Sequence, residues 1–421
     1  MLQSFRELYD ALAELLADKE NRIDLKTCGS SVHFLFESTL NSLLNQSSTD
    51  CALLVKADAL IDYCNESIMC YHFKDVPLHW RRMLMDAGLL KTLIQLHSLS
   101  NIETGNFKAL ETQVQKTMMD LDTCAIVSGA PGVDRKCATN VILEHLQSWL
   151  TNGRNRNGMR RTLSKANRLL LPRIDCPIKK LAEPPSFEWF LQHCNSERPT
   201  PFIISKGLID HWPAFNEHPW TSIDYLLSIA SDRIVPVELG SQYTDTNWSQ
   251  KMIRFSDFVE QHIVQQSDTT AYLAQHDLFY QIPQLERDII VPDYCYIKPN
   301  LNDLYTSHTD DVIKNAWFGP KNTVSPLHHD PYHNLLCQVV GSKYIKLISP
   351  EQSSYVYPRD GLMNNTSQVD VEHPDTHLYP LFDRVQYVEC VLEEGQVLYV
   401  PPKWWHFVKS LDISFSVSLW F

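Results

Sequence analysis

The run Ile413-Ser414-Phe415-Ser416-Val417-Ser418-Leu419-Trp420 alternates strictly between apolar and small or polar residues up to its final Trp420. Successive side chains of a strand point to opposite faces, so Ile413, Phe415, Val417 and Leu419 form one face and Ser414, Ser416, Ser418 and Trp420 the other. The apolar face packs; the small, polar face can line a cavity. Shorter runs of β-type residues precede it at 201–205, 234–239, 335–340, 343–348 and 397–400, separated by Pro, Gly, Asn and Asp turns. Short strands in series, with helices mostly upstream, predict the wall of a jelly roll or barrel.

Towards the N-terminus the period changes. Phe34, Leu40, Leu43 and Leu44, then Leu89, Leu90, Leu93, Ile94 and Leu96, then Val141, Ile142, Leu146 and Leu150 recur at spacings of three and four, which is helical periodicity. Prolines are sparse up to residue 150 (Pro77 and Pro131) and dense after Pro172. The fold class that follows is α+β, with a helical domain over residues 1–150 and a strand-rich domain over residues 184–421. The intervening stretch is 151–183, and within its residues 151–180 nine basic residues (Arg154, Arg156, Arg160, Arg161, Lys165, Arg168, Arg173, Lys179 and Lys180) stand against one acid, Asp175. It reads as a flexible basic linker, and the same run suits a nuclear-import or anionic-surface patch.

Composition narrows the class. Of 421 residues, 44% are hydrophobic and 21% charged, which is ordinary globular usage. No apolar run approaches the roughly 20 residues a membrane span needs. Arg6, Glu7, Asp10, Glu14 and Asp18 break up the first residues, unlike a secretory or transit signal, so an intracellular protein is expected. Its 11 cysteines are scattered without a CxxC pair and read as reduced thiols. A formal net charge of −13 argues against strong direct binding of nucleic acid and suits a basic protein or peptide partner.

The densest group of possible ligands is Ser325-Pro326-Leu327-His328-His329-Asp330-Pro331-Tyr332-His333-Asn334. In extended backbone His328 and Asp330 share a face while His329 points away. An imidazole and a carboxylate on one wall are two members of a facial triad that holds Fe(II) and leaves positions open. The third candidate is His406, beside Trp404 and Trp405 and after the glycine turn and strand of residues 395–401. The 75 residues between Asp330 and His406 accommodate several strands, so the two ends of a rolled sheet are expected to face each other across a barrel. Between them, Gly341-Ser342-Lys343-Tyr344-Ile345-Lys346 puts Lys343 on the side of Ile345 and Lys346 on the other. Lys343 is the expected inward ammonium, and a buried ammonium needs an anion, which the distal carboxylate of 2-oxoglutarate supplies.

These residues, together with Tyr272-Leu273-Ala274-Gln275-His276, Asn315-Ala316-Trp317-Phe318-Gly319-Pro320 and Asn365-Thr366-Ser367-Gln368-Val369-Asp370-Val371, resemble the Jumonji-C (JmjC) oxygenases that depend on Fe(II) and 2-oxoglutarate. The resemblance covers residues 184–421 closely and the helical part more loosely. It implies a double-stranded β-helix of the jelly-roll, cupin-like kind, iron at His328, Asp330 and His406, and 2-oxoglutarate held by Tyr272, Ser325, Asn334 and Lys343 with Trp420 near the pocket. The middle position of the H-x-D motif is often Gln in that family, and here it is His329. Residues 296–314 look like a loop insertion near the substrate entrance.

The reaction implied is oxidation of a C–H bond. On a side-chain carbon it leaves an alcohol; on an N-methyl group it releases formaldehyde. The resemblance implies arginine C-3 hydroxylation first, with methyl-lysine demethylation of histone tails and a divalent-metal peptidase action on methylated tails as alternatives, and a nuclear site of action, with the cytoplasm as a second location. No histone-reader module is visible in the sequence, which favours hydroxylation. Glu238, at a strand end, can pair a guanidinium bidentately, and Tyr243, Trp248 and Trp317 can form a stacking wall for a cationic side chain. A non-catalytic scaffold on the same fold and a zinc or manganese cupin of small-molecule metabolism are the competing readings; neither gives Lys343 a purpose.

Overall fold

Helical periodicity becomes α1 (Leu2–Ala17), α2 (Ser30–Leu44), α3 (Asp50–Met69), α4 (Leu78–Ser100), α5 (Phe107–Ser128) and α6 (Arg135–Gly153). The computed structural model describes residues 2–18, 25–101, 107–154, 161–163, 171–240, 248–267, 269–299 and 311–421. Two compact units emerge: Met1–Gly158 with Ser228–Ile234, and Met159–Leu227 with Val235–Phe421.

In the first unit α4 packs on α1, α3 and α5, and residues 82–96 are buried on every side. A helix surrounded in this way must bury whatever it carries. A Cβ at Gly88 would lie 2.6 Å from that of Cys124, so glycine is what lets α5 approach. Asp86, 1% exposed, accepts from Arg82 Nε and Arg135 Nε at 3.0 Å each, because a buried carboxylate persists only when paired. Phe34, Leu44 and Val141 are helical as their spacing predicts, yet exposed; periodicity does not say which face finds a partner.

The second unit holds two sheets. The strands are β1 (Lys179–Leu181), β2 (Phe202–Ile204), β3 (Ile234–Leu239), β4 (Ser249–Arg254), β5 (Ala271–His276), β6 (Ile313–Gly319), β7 (Val324–His328), β8 (Asn334–Val340), β9 (Lys343–Ile348), β10 (Tyr387–Leu392), β11 (Val397–Val400), β12 (Trp405–Ser410) and β13 (Ser414–Trp420). The nine-stranded sheet runs β1-β2-β11-β8-β13-β6-β5-β3-β4 and the four-stranded one β10-β9-β12-β7. Ile345, Leu347 and Val408 of the small sheet meet Leu336, Leu398 and Val400 of the large one in a shared core. This is the expected α+β arrangement, helices followed by a cupin-like β-sandwich.

The alternation of β13 has the predicted outcome with one refinement: both faces are buried. Phe415, Val417 and Leu419 pack. On the other face Ser416 Oγ donates to Gln338 Oε1 at 2.8 Å and Gln338 Nε2 to Ser414 Oγ at 3.0 Å, while Ser418 and Trp420 reach a cavity. Gly341, at φ 72°, closes the β8–β9 turn; a Cβ there would stand 2.1 Å from the Ile413 carbonyl oxygen. Part of the stretch expected as a linker is structured: α6 runs to Gly153, and β1 pairs parallel with β2. β5, β7, β10 and β12 carry Gln, Pro, Glu or Lys that do not read as strand, and their ladders override local preference.

Candidate active site

β7 ends at His328 and pairs with β12, where His406 is its direct cross-strand partner; a register shift follows between His406 and Val408. The two rings sit with centroids 4.2 Å apart. The expectation that these histidines face each other from opposite ends of a rolled sheet is therefore corrected: they are neighbours in one sheet, because the chain returns β12 between β9 and β7. Cross-strand partners are close by geometry alone. Asp330, two residues past His328, turns to the same face, with Oδ2 3.9 Å from His328 Nε2 and 3.5 Å from His406 Nε2. One ligand atom from each of the three lies within 4.8 Å of the others.

Backbone carbonyls decide how the imidazoles present themselves. His328 Nδ1 bonds the Pro326 oxygen at 2.7 Å and His406 Nδ1 the Trp404 oxygen at 2.9 Å. A carbonyl only accepts, so each Nδ1 carries a proton and each Nε2 is left to face Asp330. Burial, reinforced by His328, pushes His406 down to about 4 and keeps it neutral, the form a metal needs. Two imidazole nitrogens and one carboxylate on one face fit a divalent iron with open positions. His329 points elsewhere, edge-on to Trp405 with centroids 4.6 Å apart, and burial lowers it to about 4.

Behind the ligands lies a cavity, which Tyr272, Ser325, Asn334, Lys343 and Trp420 line together with the three ligands. Lys343 opens β9 at 1% exposure and donates to Tyr272 Oη at 3.0 Å. That phenol is neutral, held up by burial, and burial pushes Lys343 down to about 7. Asn334 Oδ1 and Trp420 Nε1 are buried with no partner among the described residues. A cavity with an ammonium and an orphaned indole N–H, both donors, fits a small anion that accepts hydrogen bonds, as 2-oxoglutarate does. Lys346 lies on the opposite face of β9, 4.3 Å over the Tyr387 ring.

A second, outer cavity shares Tyr272, Trp317, Ser325, His328 and Asp330 with the inner one and adds Glu238 and Trp248. Glu238 is the cross-strand partner of Tyr272. Burial raises its carboxyl, and a hydrogen bond from Trp248 partly offsets this. Trp317 borders both cavities and donates from Nε1 to Ser418 Oγ at 2.9 Å. Tyr243 and residues 300–310 of the expected insertion lie outside the described residues. Sequence reasoning missed Gln275, Met363, Asn365 and Thr366 in the outer wall and did not single out Ser418 for the inner one. The β13 alternation points to Ser418; Gln275, Asn365 and Thr366 stand within runs that carry the JmjC resemblance, but no spacing marks them or Met363 as wall residues, since sheet pairing and a distant loop bring them in.

The cupin-like domain family matches residues 189–421. The chain is 39% identical to lysine-specific demethylase 8 from Danio rerio over 98% of its own length and 97% of that protein. It is 46% identical to the Xenopus tropicalis protein of the same name, over 59% of this chain and 52% of the relative. With Jumonji C domain-containing protein 5 from Drosophila melanogaster it shares 43% identity over 58% and 60%. In these last two the match spans little more than half of the relative's length. With the β-sandwich, the ligand face and these likenesses together, the chain belongs to the cupin-like JmjC family of 2-oxoglutarate-dependent dioxygenases.

Proposed function

We propose that the chain hydroxylates an arginine side chain of a basic protein or peptide at C-3, using Fe(II) held by His328, Asp330 and His406 and 2-oxoglutarate held in the inner cavity. With both bound, the cofactors supply oxidation of a C–H bond coupled to decarboxylation of the cosubstrate. The chain's own part is positioning. Tyr272, Ser325, Asn334, Lys343 and Trp420 receive the cosubstrate, with Lys343 meeting its distal carboxylate. The apolar walls around Leu336, Ile345 and Val408 exclude water from it.

The observation that carries the arginine reading is Glu238 in the outer cavity, bordered by Trp248 and Trp317 and opening on the same His328 and Asp330. A partly buried carboxylate beside aromatic rings suits a guanidinium, which pairs as a fork and stacks as a plane. Removal of an N-methyl group from lysine is the second reading, supported by the names of the two demethylase relatives. Histone tails are basic substrates compatible with either reaction, and such a substrate suits action in the nucleus, with the cytoplasm as the second site. Mass spectrometry of matched arginine, lysine and methyl-lysine peptides with iron, 2-oxoglutarate and oxygen tests the proposal. A gained oxygen atom on arginine supports it; methyl loss with formaldehyde and no arginine product overturns it.

A further inference from the structure

The run Asn365-Thr366-Ser367 has no part in the chemistry above, yet it is stitched to the strand that carries the ligands. Ser367 N–H donates to the Leu327 oxygen at 2.8 Å, and Thr366 forms an isolated bridge with His328. Asn365 takes both backbone groups of His329: its backbone carbonyl accepts from His329 N–H at 2.9 Å, and its side-chain Nδ2 donates to the His329 carbonyl oxygen at 3.1 Å.

The place of this clamp gives it meaning. The β7–β12 ladder reaches His328 and goes no further. His329 is one residue beyond it, so the peptide groups joining His328 to Asp330 lack sheet partners and meet the backbone carbonyl and side-chain amide of Asn365 instead. Rotation about His329 would swing the Asp330 carboxylate away from the two Nε2 atoms it faces at 3.9 and 3.5 Å. The strap is itself held: Thr366 N–H donates to the Met363 oxygen at 2.8 Å, Arg359 N–H to the Thr366 oxygen at 2.8 Å, and Gln368 N–H to the Tyr357 oxygen at 2.9 Å. Past the ligands, Lys403 N–H donates to the Asp330 backbone carbonyl at 2.8 Å. Both sides of the H-x-D turn are thus anchored to fixed backbone.

We propose that Asn365 is a positioning residue of the metal site, whose side-chain amide sets the backbone between His328 and Asp330 and so the facial arrangement of the ligands. The proposal rests on the reading of those residues with His406 as the metal site. The donor matters more than the bulk, since an aspartate of the same size would turn an acceptor towards the His329 carbonyl.

Co(II), an oxygen-stable stand-in for Fe(II), is titrated into the full chain by its visible absorbance, with the thermal midpoint of each metal-free variant measured alongside. Asn365→Ala and Asn365→Asp are expected to bind Co(II) about 10- to 100-fold more weakly, with altered band positions and an unchanged metal-free midpoint. The exposed neighbour variant Asn364→Ala is expected to bind as the wild type does. Wild-type affinity in both Asn365 variants, or weaker binding that tracks a fallen midpoint, overturns the proposal. His328→Ala separates the two levels: if it also binds Co(II) as the wild type does, the metal-site reading itself falls.

Discussion

His328 and His406 are direct partners across β7 and β12, and their Nε2 atoms converge on one oxygen of Asp330. The pair is fixed by the ladder rather than by side-chain packing, so the ligands stand ready before a metal arrives.

Replacing His328, Asp330 or His406 by alanine should therefore abolish iron binding and turnover while leaving the circular dichroism spectrum unchanged, because the ladder does not depend on these side chains. His329→Ala should keep metal and activity and lose only its contact with Trp405, at a cost of about 1 kcal/mol in denaturant unfolding. An inactive His329→Ala beside an active His328→Ala would show that the strand presents the other face.

Lys343 makes binding of the cosubstrate depend on pH. Its ordinary value of 10.5 falls to about 7 in the folded chain through burial, so between these values the unfolded chain holds a proton that the folded chain has released. Stability contributed by this residue accordingly rises with pH across that window. Binding of an anion calls the proton back. Affinity for 2-oxoglutarate, measured by calorimetry with Mn(II) in the absence of oxygen, should fall as pH rises above 7, with proton uptake seen between buffers of different ionisation heat. Lys343→Ala should lose about 1.5–3 kcal/mol of this affinity and the pH dependence with it.

Glu389, 4% exposed, ties the start of the strand-rich unit to β10. Its Oε1 accepts from Asp175 N–H at 2.7 Å, its backbone N–H bonds the Cys176 oxygen at 2.7 Å, and Tyr344 donates to its other oxygen. Burial alone would raise its carboxyl, but Tyr344 and the amides of Asp175 and Cys176 together hold it below its usual value. A depressed carboxyl contributes stability above its unfolded value of 4.5 and loses it as pH falls through the folded value. Glu389→Gln should cost about 1.5–3 kcal/mol at neutral pH, with the difference from wild type vanishing in acid; urea unfolding at several pH values measures it.

Glu238→Gln tests substrate choice. Neutralising one partner of a partly desolvated pair can cost about 2–5 kcal/mol, so turnover of arginine peptides should fall steeply and that of lysine peptides less, an ammonium having no planar fork. Because burial raises the Glu238 carboxyl, capture of arginine peptides by the wild type should weaken on the acid side before the fold does. Equal loss on every peptide would assign Glu238 to general electrostatics.

Much of this was legible along the chain. Period fixes which residues share a face, so the helical part, the alternation of β13, the shared side of His328 and Asp330 and the inward Lys343 were all readable from spacing; the JmjC resemblance then pointed to iron, 2-oxoglutarate and Glu238. Spacing is silent about partners. That His406 lies beside His328 and not across from it was decided by the order in which β9, β12 and β7 assemble. That Asn365, some 36 residues from His329, closes the backbone between two ligands was decided by a strap whose own sequence carries no periodic signal. Likewise the exposure of Phe34 and Val141 and the burial of Asp86 depend on neighbours from other helices. Local pattern sets which way a side chain points; only tertiary pairing sets what it meets, because the groups that satisfy a buried charge or a free peptide come from distant parts of the chain.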